Sequence, residues 1–154
     1  MRRSDREISE LKDVEAIINN SDVCRVALAN DNIPYVVTMN FGYIRSPERL
    51  LYFHCAPAGK KLEMIKKNNY VCFEMDTDHQ IMKGGKECEW GMKFSSVVGY
   101  GKIFTVEEKE EKLTGMNSIM SHYGAEAPFS YDEKVFSHTV ILRLEITEMT
   151  GKKK

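Results

Sequence analysis

The sequence predicts a mainly β (α+β) domain: a closed or nearly closed antiparallel barrel of about six strands with three peripheral helices. Three observations predict it. Apolar and polar residues alternate with period two in Val23–Ala29, Tyr70–Asp76 and Thr139–Met149. Short links rich in turn residues join neighbouring strands, as at Asn30-Asp31-Asn32. The helical segments sit between or beside strands instead of alternating regularly with them, which disfavours a doubly wound parallel sheet.

The elements follow in chain order. Leu11–Asn20 carries Leu11, Val14, Ile17 and Ile18 at helical spacing, with Ser9 as N-cap and Asn19-Asn20 as the stop. Val23–Ala29 is a strand with Cys24, Val26 and Leu28 on one face. After the Asn30-Asp31-Asn32 turn, a second strand spans Pro34–Tyr43, with the proline at its start. Arg45-Ser46-Pro47-Glu48 is a second turn, and Leu50–Cys55 a third strand. Pro57 sits in the first turn of a helix spanning Gly59–Asn69, whose inner side carries Leu62, Met64 and Ile65.

Tyr70–Asp76 is the next strand, followed by a polar loop over Thr77–Glu89. Trp90–Val106 is a long strand, bent at Gly99 or Gly101. Glu107–Tyr123 is a helix with Leu113, Met116, Met120 and Tyr123 on one face and Gly124 as its stop. Ala125–Ser137 is irregular. In Thr139–Met149, Val140, Leu142, Leu144 and Ile146 alternate with Ile141, Arg143, Glu145 and Thr147.

At 154 residues the chain makes one domain, residues 1–154, large enough for a core without staples. A net charge of −1 with acids matching bases along the chain argues against a nucleic-acid partner, which calls for a basic stripe. Lys152-Lys153-Lys154 reads as a solvated tail. No apolar run approaches the ~18 residues that span a bilayer, so no membrane partner is expected. Met1–Arg6 is charged and precedes no apolar segment, so no secretory signal is read. Cys24, Cys55, Cys72 and Cys88 form no C-x-x-C pair and read as reduced thiols of a cytoplasmic protein.

Leu51–Lys61 is the segment richest in chemistry. A strand ends at Cys55, and a helix begins after Pro57 with Lys60 and Lys61 in its first turn. Unpaired amides and the positive end of the helix dipole suit a phosphate. Two lysines there cost roughly 0.3–1 kcal/mol each unless an anion is bound. The same residues also fit a surface helix that simply begins with lysines. His54 shares a face with Tyr52, where it either donates a proton beside a ligand or fills space at the barrel rim.

Thr38 and Asn40 interrupt the apolar run Val36–Phe41. They fit short polar partners for the edge of a planar heterocycle, or the outward face of a half-buried strand. Gly99-x-Gly101 is no dinucleotide fingerprint, because Phe104 stands where the later glycine belongs. Asp76, Asp78, His79, Cys88 and Glu89 lack the spacing of a metal site. No G-x-S-x-G elbow supports a serine hydrolase.

Taken in order, V-C-R-V-A-L, P-Y-V-V-T-M-N-F-G-Y, L-Y-F-H-x-A-x-x-G-K-K-L, V-C-F-E-M-D-T-D-H and C-E-W-G-M-K-F-S-S-V-V-G-Y-G resemble the nitroimidazole-resistance branch of the pyridoxamine 5′-phosphate oxidase-like flavoproteins. The similarity runs from about Arg3 to Gly151. It is most specific in Tyr52–Leu62 and Trp90–Gly101.

The resemblance implies a split β-barrel, a homodimer with flavin at the subunit interface, and FMN as cofactor, with FAD possible. It implies Val37, Thr38, Met39 and Asn40 along the isoalloxazine edge. Phe53, His54, Lys60 and Lys61 would lie on the phosphate side or the reactive pocket, and Ser95, Ser96 and Val97 would come from the partner subunit. His54 is the implied catalytic residue. The oxidase proper carries Arg-Lys where this chain has Lys60-Lys61 and Tyr-Thr where it has Phe53-His54, and its C-terminal substrate signature is absent. Lysine keeps the charge but loses the bidentate fork. The expected function is therefore an FMN-dependent oxidoreductase acting on small electron-poor molecules such as nitroimidazoles. The alternatives are a non-catalytic flavin carrier or sensor, or a split-barrel protein using haem or cofactor F420.

Overall fold

The computed structural model describes residues 3–45 and 47–154, and among these the chain forms eight strands, four α-helices and two short 3-10 turns. Met1 and Arg2 of the charged N-terminus and Ser46 of the predicted second turn lie outside the described residues. The elements are β1 (Glu7–Ile8), α1 (Leu11–Asn20), β2 (Cys24–Asn30), β3 (Ile33–Met39), β4 (Phe41–Ile44), β5 (Leu50–Cys55), α2 (Lys60–Lys67), β6 (Tyr70–Met82), β7 (Gly91–Thr105), α3 (Lys109–His122), α4 (Glu133–His138) and β8 (Val140–Lys153).

All the strand pairs are antiparallel, in the order β3-β2-β6-β7-β8-β5-β4, with β1 beside β8. The β2–β3 turn forms as its residues predict: Asp31 and Asn32 adopt φ of 51° and 62°, which asparagine and aspartate tolerate. The predicted single strand Pro34–Tyr43 is two strands. Its first half pairs with β2 and its second with β5, at opposite ends of the sheet order. Asn40 alone separates them, so the sheet stays open in its hydrogen bonds and the chain itself bridges the opening. This is the split barrel.

The interior follows the period-two pattern. Cys24, Val26 and Leu28 of β2, Leu51 and Phe53 of β5, Val71, Phe73 and Met75 of β6, and Leu142 and Leu144 of β8 share one buried cluster. Val14, Ile17 and Ile18 of α1 and Met64 and Ile65 of α2 join it. A second cluster of Tyr52, Val106, Ile119 and Ile141 lies outside the barrel, beneath α3.

Several boundaries move. Glu10, not Ser9, caps α1, without a side-chain hydrogen bond. Pro57 precedes α2, which starts at Lys60 with Gly59 as N-cap. The predicted loop after Asp76 is strand as far as Met82, because Gln80, Ile81 and Met82 pair with Lys93, Met92 and Gly91 past a bulge at Asp78, φ 60°. Ala125–Ser137 contains α4, capped by the Asp132 carboxylate accepting from the Val135 amide. β8 runs on to Lys153, against β7, whose register against it shifts at Tyr100-Gly101.

The apolar stripe predicted for α3 is not its buried side: Leu113, Met120 and Tyr123 are exposed, and Gly115 and Ile119 are buried. The helix turns this face inward because Gly115 and Gly42 let backbone approach the sheet. A Cβ on Gly42 would collide with Ser118, and one on Gly115 with Tyr52 and Ile141.

Candidate functional site

The β4–β5 ladder pairs Phe41 with Phe53 and Gly42 with Tyr52. One step further, the same register sets Asn40 beside His54. Side chains alternate across a strand, so Asn40 shares a face with Gly42, and His54 with Tyr52. α3 covers Gly42 and Tyr52 and leaves Asn40 and His54 exposed. The Tyr123 hydroxyl fixes the end of α3 next to them: it accepts from the Phe41 amide at 3.3 Å and donates to the Asp22 carbonyl at 2.7 Å.

The start of α2 lies next to the end of β5. Gly59 takes φ 139°, which L side chains rarely adopt, and it carries no side-chain cap. Its carbonyl accepts from the Leu62 and Glu63 amides at 3.0 and 3.3 Å. The amides of Lys60 and Lys61 have no acceptor among the described residues, as expected for the first turn of a helix. The space above Gly59 is open for 4 Å around the position of a Cβ. Lys60 Nζ stands 4.5 Å from the centroid of the Tyr35 ring on β3. Lys61 acts on Cys55: burial pushes that thiol up and the ammonium partly offsets it. Two free amides, two cations and open space fit a phosphate.

β3 is an edge strand, paired with β2 alone among the described residues. Thr38 and Asn40 face solvent, whereas Met39 is buried and Val37 packs against the core. Val37 and Met39 can therefore meet a ligand through main-chain atoms, and Thr38 and Asn40 through side chains. Phe53 and Val97 are fully buried and likewise offer only backbone. Ser95 points inward to a cleft of about 370 Å³ that also includes Asp13 of α1. Its neighbour Ser96 lies on the outer face, opposite Asp76 and Lys152.

The register thus sets Asn40 and His54 together at the β3–β4 junction, while Lys60 stands against Tyr35 beside the Asn30–Ile33 hairpin and Lys61 lies by Cys55 at the end of β5. Ser96 of the same chain is three strands from β3, roughly 14 Å at the usual strand spacing. A cleft of about 290 Å³ takes in Lys60 but no other predicted site residue.

Arg25 has no marker in the local sequence, yet it sits across from Thr38 on the outer face. Its guanidinium donates to Glu74 at 3.0 Å and Asp76 at 2.6 Å, and His79 Nε2 lies 2.9 Å from the other Asp76 oxygen. These partners are 49 and 51 residues away, so only strand pairing could reveal them. Among the described residues no three His, Cys, Asp or Glu side chains converge as metal ligands. Cys24 and Cys55 are buried thiols, and Cys88 is exposed. No helix among the described residues is long and apolar enough to cross a membrane.

The family model for pyridoxamine 5′-phosphate oxidase matches residues 10–153. A Bacteroides thetaiotaomicron protein assigned to 5-nitroimidazole antibiotic resistance is 33% identical in sequence, with a TM-score of 0.83, and the match covers 96% of this chain and 86% of that one. An FAD- and haem-binding protein of Mycobacterium smegmatis shares the fold at 14% identity and TM-score 0.81, over 97% of this chain and 73% of that one. So does an FAD-binding protein of the same organism, at 19% identity and TM-score 0.66, over 96% of both chains. No curated protein sequence matches the chain.

Proposed function

The chain belongs to the pyridoxamine 5′-phosphate oxidase family, and from that premise we propose that it binds FMN as a homodimer and acts as a flavin-dependent oxidoreductase on small electron-poor substrates such as nitroimidazoles. One observation carries the reading: His54 is exposed at the end of β5, and the next element, α2, opens with two amides unpaired among the described residues and with Lys60 and Lys61 in its first turn. That arrangement offers a phosphate anchor and, one short connection away, a protonatable side chain.

The Lys60 and Lys61 amides and ammonium groups hold the phosphate. Thr38, Asn40 and the free edge of β3 orient the ring system. The His54 imidazole holds a proton next to the bound substrate and delivers it as the substrate is reduced. Flavin, when bound, supplies the two-electron chemistry, while the protein supplies position and electrostatics. The nitroimidazole substrate class is supported by the Bacteroides relative at 33% identity. Dimerisation is supported by the outer face of β3-β2-β6-β7, where Val36, Tyr70, Val98 and Tyr100 are exposed together and the two tyrosine rings stack at 6.1 Å.

The test is the visible spectrum of the purified protein with the mass of its extracted ligand. A yellow protein releasing FMN is expected. A colourless protein that stays colourless after FMN is added overturns the proposal.

A further inference from the structure

The Ser95 hydroxyl is buried without a partner. The residue is 2% exposed, and its Oγ makes no hydrogen bond among the described residues. It faces the cleft of about 370 Å³ that lies between α1 and the strands β1, β6, β7 and β8. A buried hydroxyl is ordinarily bonded within the fold, and one that is not calls for a partner from outside it.

Four more polar side chains line the same cleft: Asp13 and Asn20 of α1, Asp78 of β6 and Lys153 of β8. None of them forms a side-chain hydrogen bond or an ion pair among the described residues. Each reaches the cleft for its own local reason. Asp13, Ala16, Ile17 and Asn20 recur at helical spacing, so one face of α1 makes a wall. Asp13 and Asn20 stand about 10 Å apart along it.

Lys153 arrives by strand pairing. Phe94 and Lys154 exchange both backbone hydrogen bonds, at 3.3 and 2.9 Å. The next pair, Ser95 with Lys153, is therefore of the close kind that shares no hydrogen bond, with Cα atoms about 4.5 Å apart and both side chains on one face.

Asp78 arrives by a bulge. Strict alternation would send it to the outer face with Glu74 and Asp76, where Arg25 already binds both. The register shift between Thr77 and Gln80, with φ 60° at Asp78, turns it into the cleft beside Ser95.

The chemistry of the lining is divided. The Ser95 hydroxyl and the Lys153 ammonium are donors side by side, which suits a carboxylate. Asp13 and Asp78 are carboxylates from separate elements, which suit an ammonium. Ile8, Ala16 and Ile17 supply an apolar wall. A metal ion fits less well: among the described residues no three His, Cys, Asp or Glu side chains converge, and Lys153 brings a positive charge to the same cleft. The volume is that of a small-molecule site.

We propose that this cleft binds a free α-amino acid with an apolar side chain. Its carboxylate lies on Ser95 and Lys153, its ammonium between Asp13 and Asp78, and its side chain against Ile8 and Ile17. The site is separate from the flavin reading and does not rest on it, since neither His54 nor Lys60 nor Lys61 lines the cleft. It also gives Ser95 a different role from Ser96, which stays on the outer face of the sheet.

A titration with a whole ligand and its two halves tests it. The full chain is titrated by amide-resolved NMR with L-leucine, with isoamylamine, which lacks the carboxylate, and with isocaproate, which lacks the ammonium. Leucine should shift the amides around Asp13, Asp78, Ser95 and Lys153 saturably. Each half should bind at least about tenfold more weakly. Lys153→Met and Asp78→Asn should each weaken leucine by about tenfold.

Ser95→Ala separates binding from folding. A hydroxyl with no partner adds nothing to the fold, so the variant's urea midpoint should equal or exceed that of the wild type while its affinity for leucine falls.

No saturable shift with leucine up to about 10 mM overturns the proposal. So do halves that bind as tightly as leucine, shifts confined to the amides of His54, Lys60 and Lys61, or wild-type affinity in Lys153→Met and Asp78→Asn. A Ser95→Ala protein with a lowered midpoint also overturns it, because the hydroxyl is then bonded within the fold.

Discussion

Gly115 of α3 lies directly over the ring of Tyr52 on β5: a Cβ at Gly115 would stand 2.8 Å from Tyr52 Cδ1 and 2.8 Å from Ile141 Cγ2. Both partners are buried and cannot swing away. Gly115→Ala should therefore destabilise the protein. Alanine improves helix propensity by about 1 kcal/mol, but overpacking a filled core costs about 1–3 kcal/mol. A net loss of up to about 2 kcal/mol is expected, read as a lower urea midpoint with unchanged slope. A raised midpoint would show that α3 does not sit this close to the sheet.

The Tyr52 hydroxyl donates to Glu111 Oε1 at 3.1 Å, and Arg143 donates to the same oxygen at 2.8 Å. Burial, and then the negative charge of Glu111, push the Tyr52 hydroxyl up to about 12. An unfolded tyrosine loses its proton near pH 10, so above that pH the folded state binds more protons than the unfolded one. Stability is then lost as pH rises from about 10 to about 12. Tyr52→Phe should flatten that alkaline limb. It should not abolish it, because Tyr43, held up by burial and by its bond to Glu15 at 2.8 Å, contributes in the same direction. Urea unfolding across the alkaline range measures both slopes; identical slopes for wild type and variant would contradict the assignment.

Much of the local structure is legible in the sequence because it is decided by neighbours. Asp31 and Asn32 specify their own turn, and Cys24, Val26 and Leu28 their own buried face. The break at Asn40 is different. Nothing within Pro34–Tyr43 states that its halves pair with strands at opposite ends of the sheet; that is settled by the barrel as a whole. The inner face of α3 is hidden for a related reason. A pattern that counts large apolar residues finds Leu113, Met116, Met120 and Tyr123, whereas the contact depends on the absence of a side chain at Gly115 and Gly42. At the site, His54, Lys60 and Lys61 stand out because a strand end and a helix start adjoin in sequence. Arg25 does not, because its partners Glu74 and Asp76 arrive from β6.

Lys60 and Lys61 should differ in their effect on flavin binding. The Lys60 ammonium is already engaged over Tyr35 at 4.5 Å, an interaction of about 0.5–1 kcal/mol. Lys61 has no comparable partner among the described residues and faces the end of β5 near Cys55. Lys61→Ala should raise the Kd for FMN about tenfold, and Lys60→Ala by less. Both effects should shrink as salt is added, since added salt screens exposed charges. Fluorescence titration at two salt concentrations checks this, and an equal, salt-independent loss in the two variants would remove the phosphate from this end of α2.

His54 decides between turnover and carriage. It is exposed beside Asn40, and its neighbours on the strand, Phe53 and Cys55, point into the barrel. Loss of its imidazole therefore leaves the core intact. If His54 delivers the proton, His54→Ala should retain FMN and slow reduction of a nitroimidazole by about 10²–10⁴-fold under a fixed reductant. His54→Gln should be equally slow, because an amide has the size and the hydrogen bonds but no proton to give. The measurement is steady-state reduction of metronidazole by absorbance, alongside FMN content. Rapid wild type with slow variants supports the oxidoreductase. Wild type and variants that are equally inert while all hold FMN identify a flavin carrier, and wild type and variants that are equally active move the proton donor away from His54.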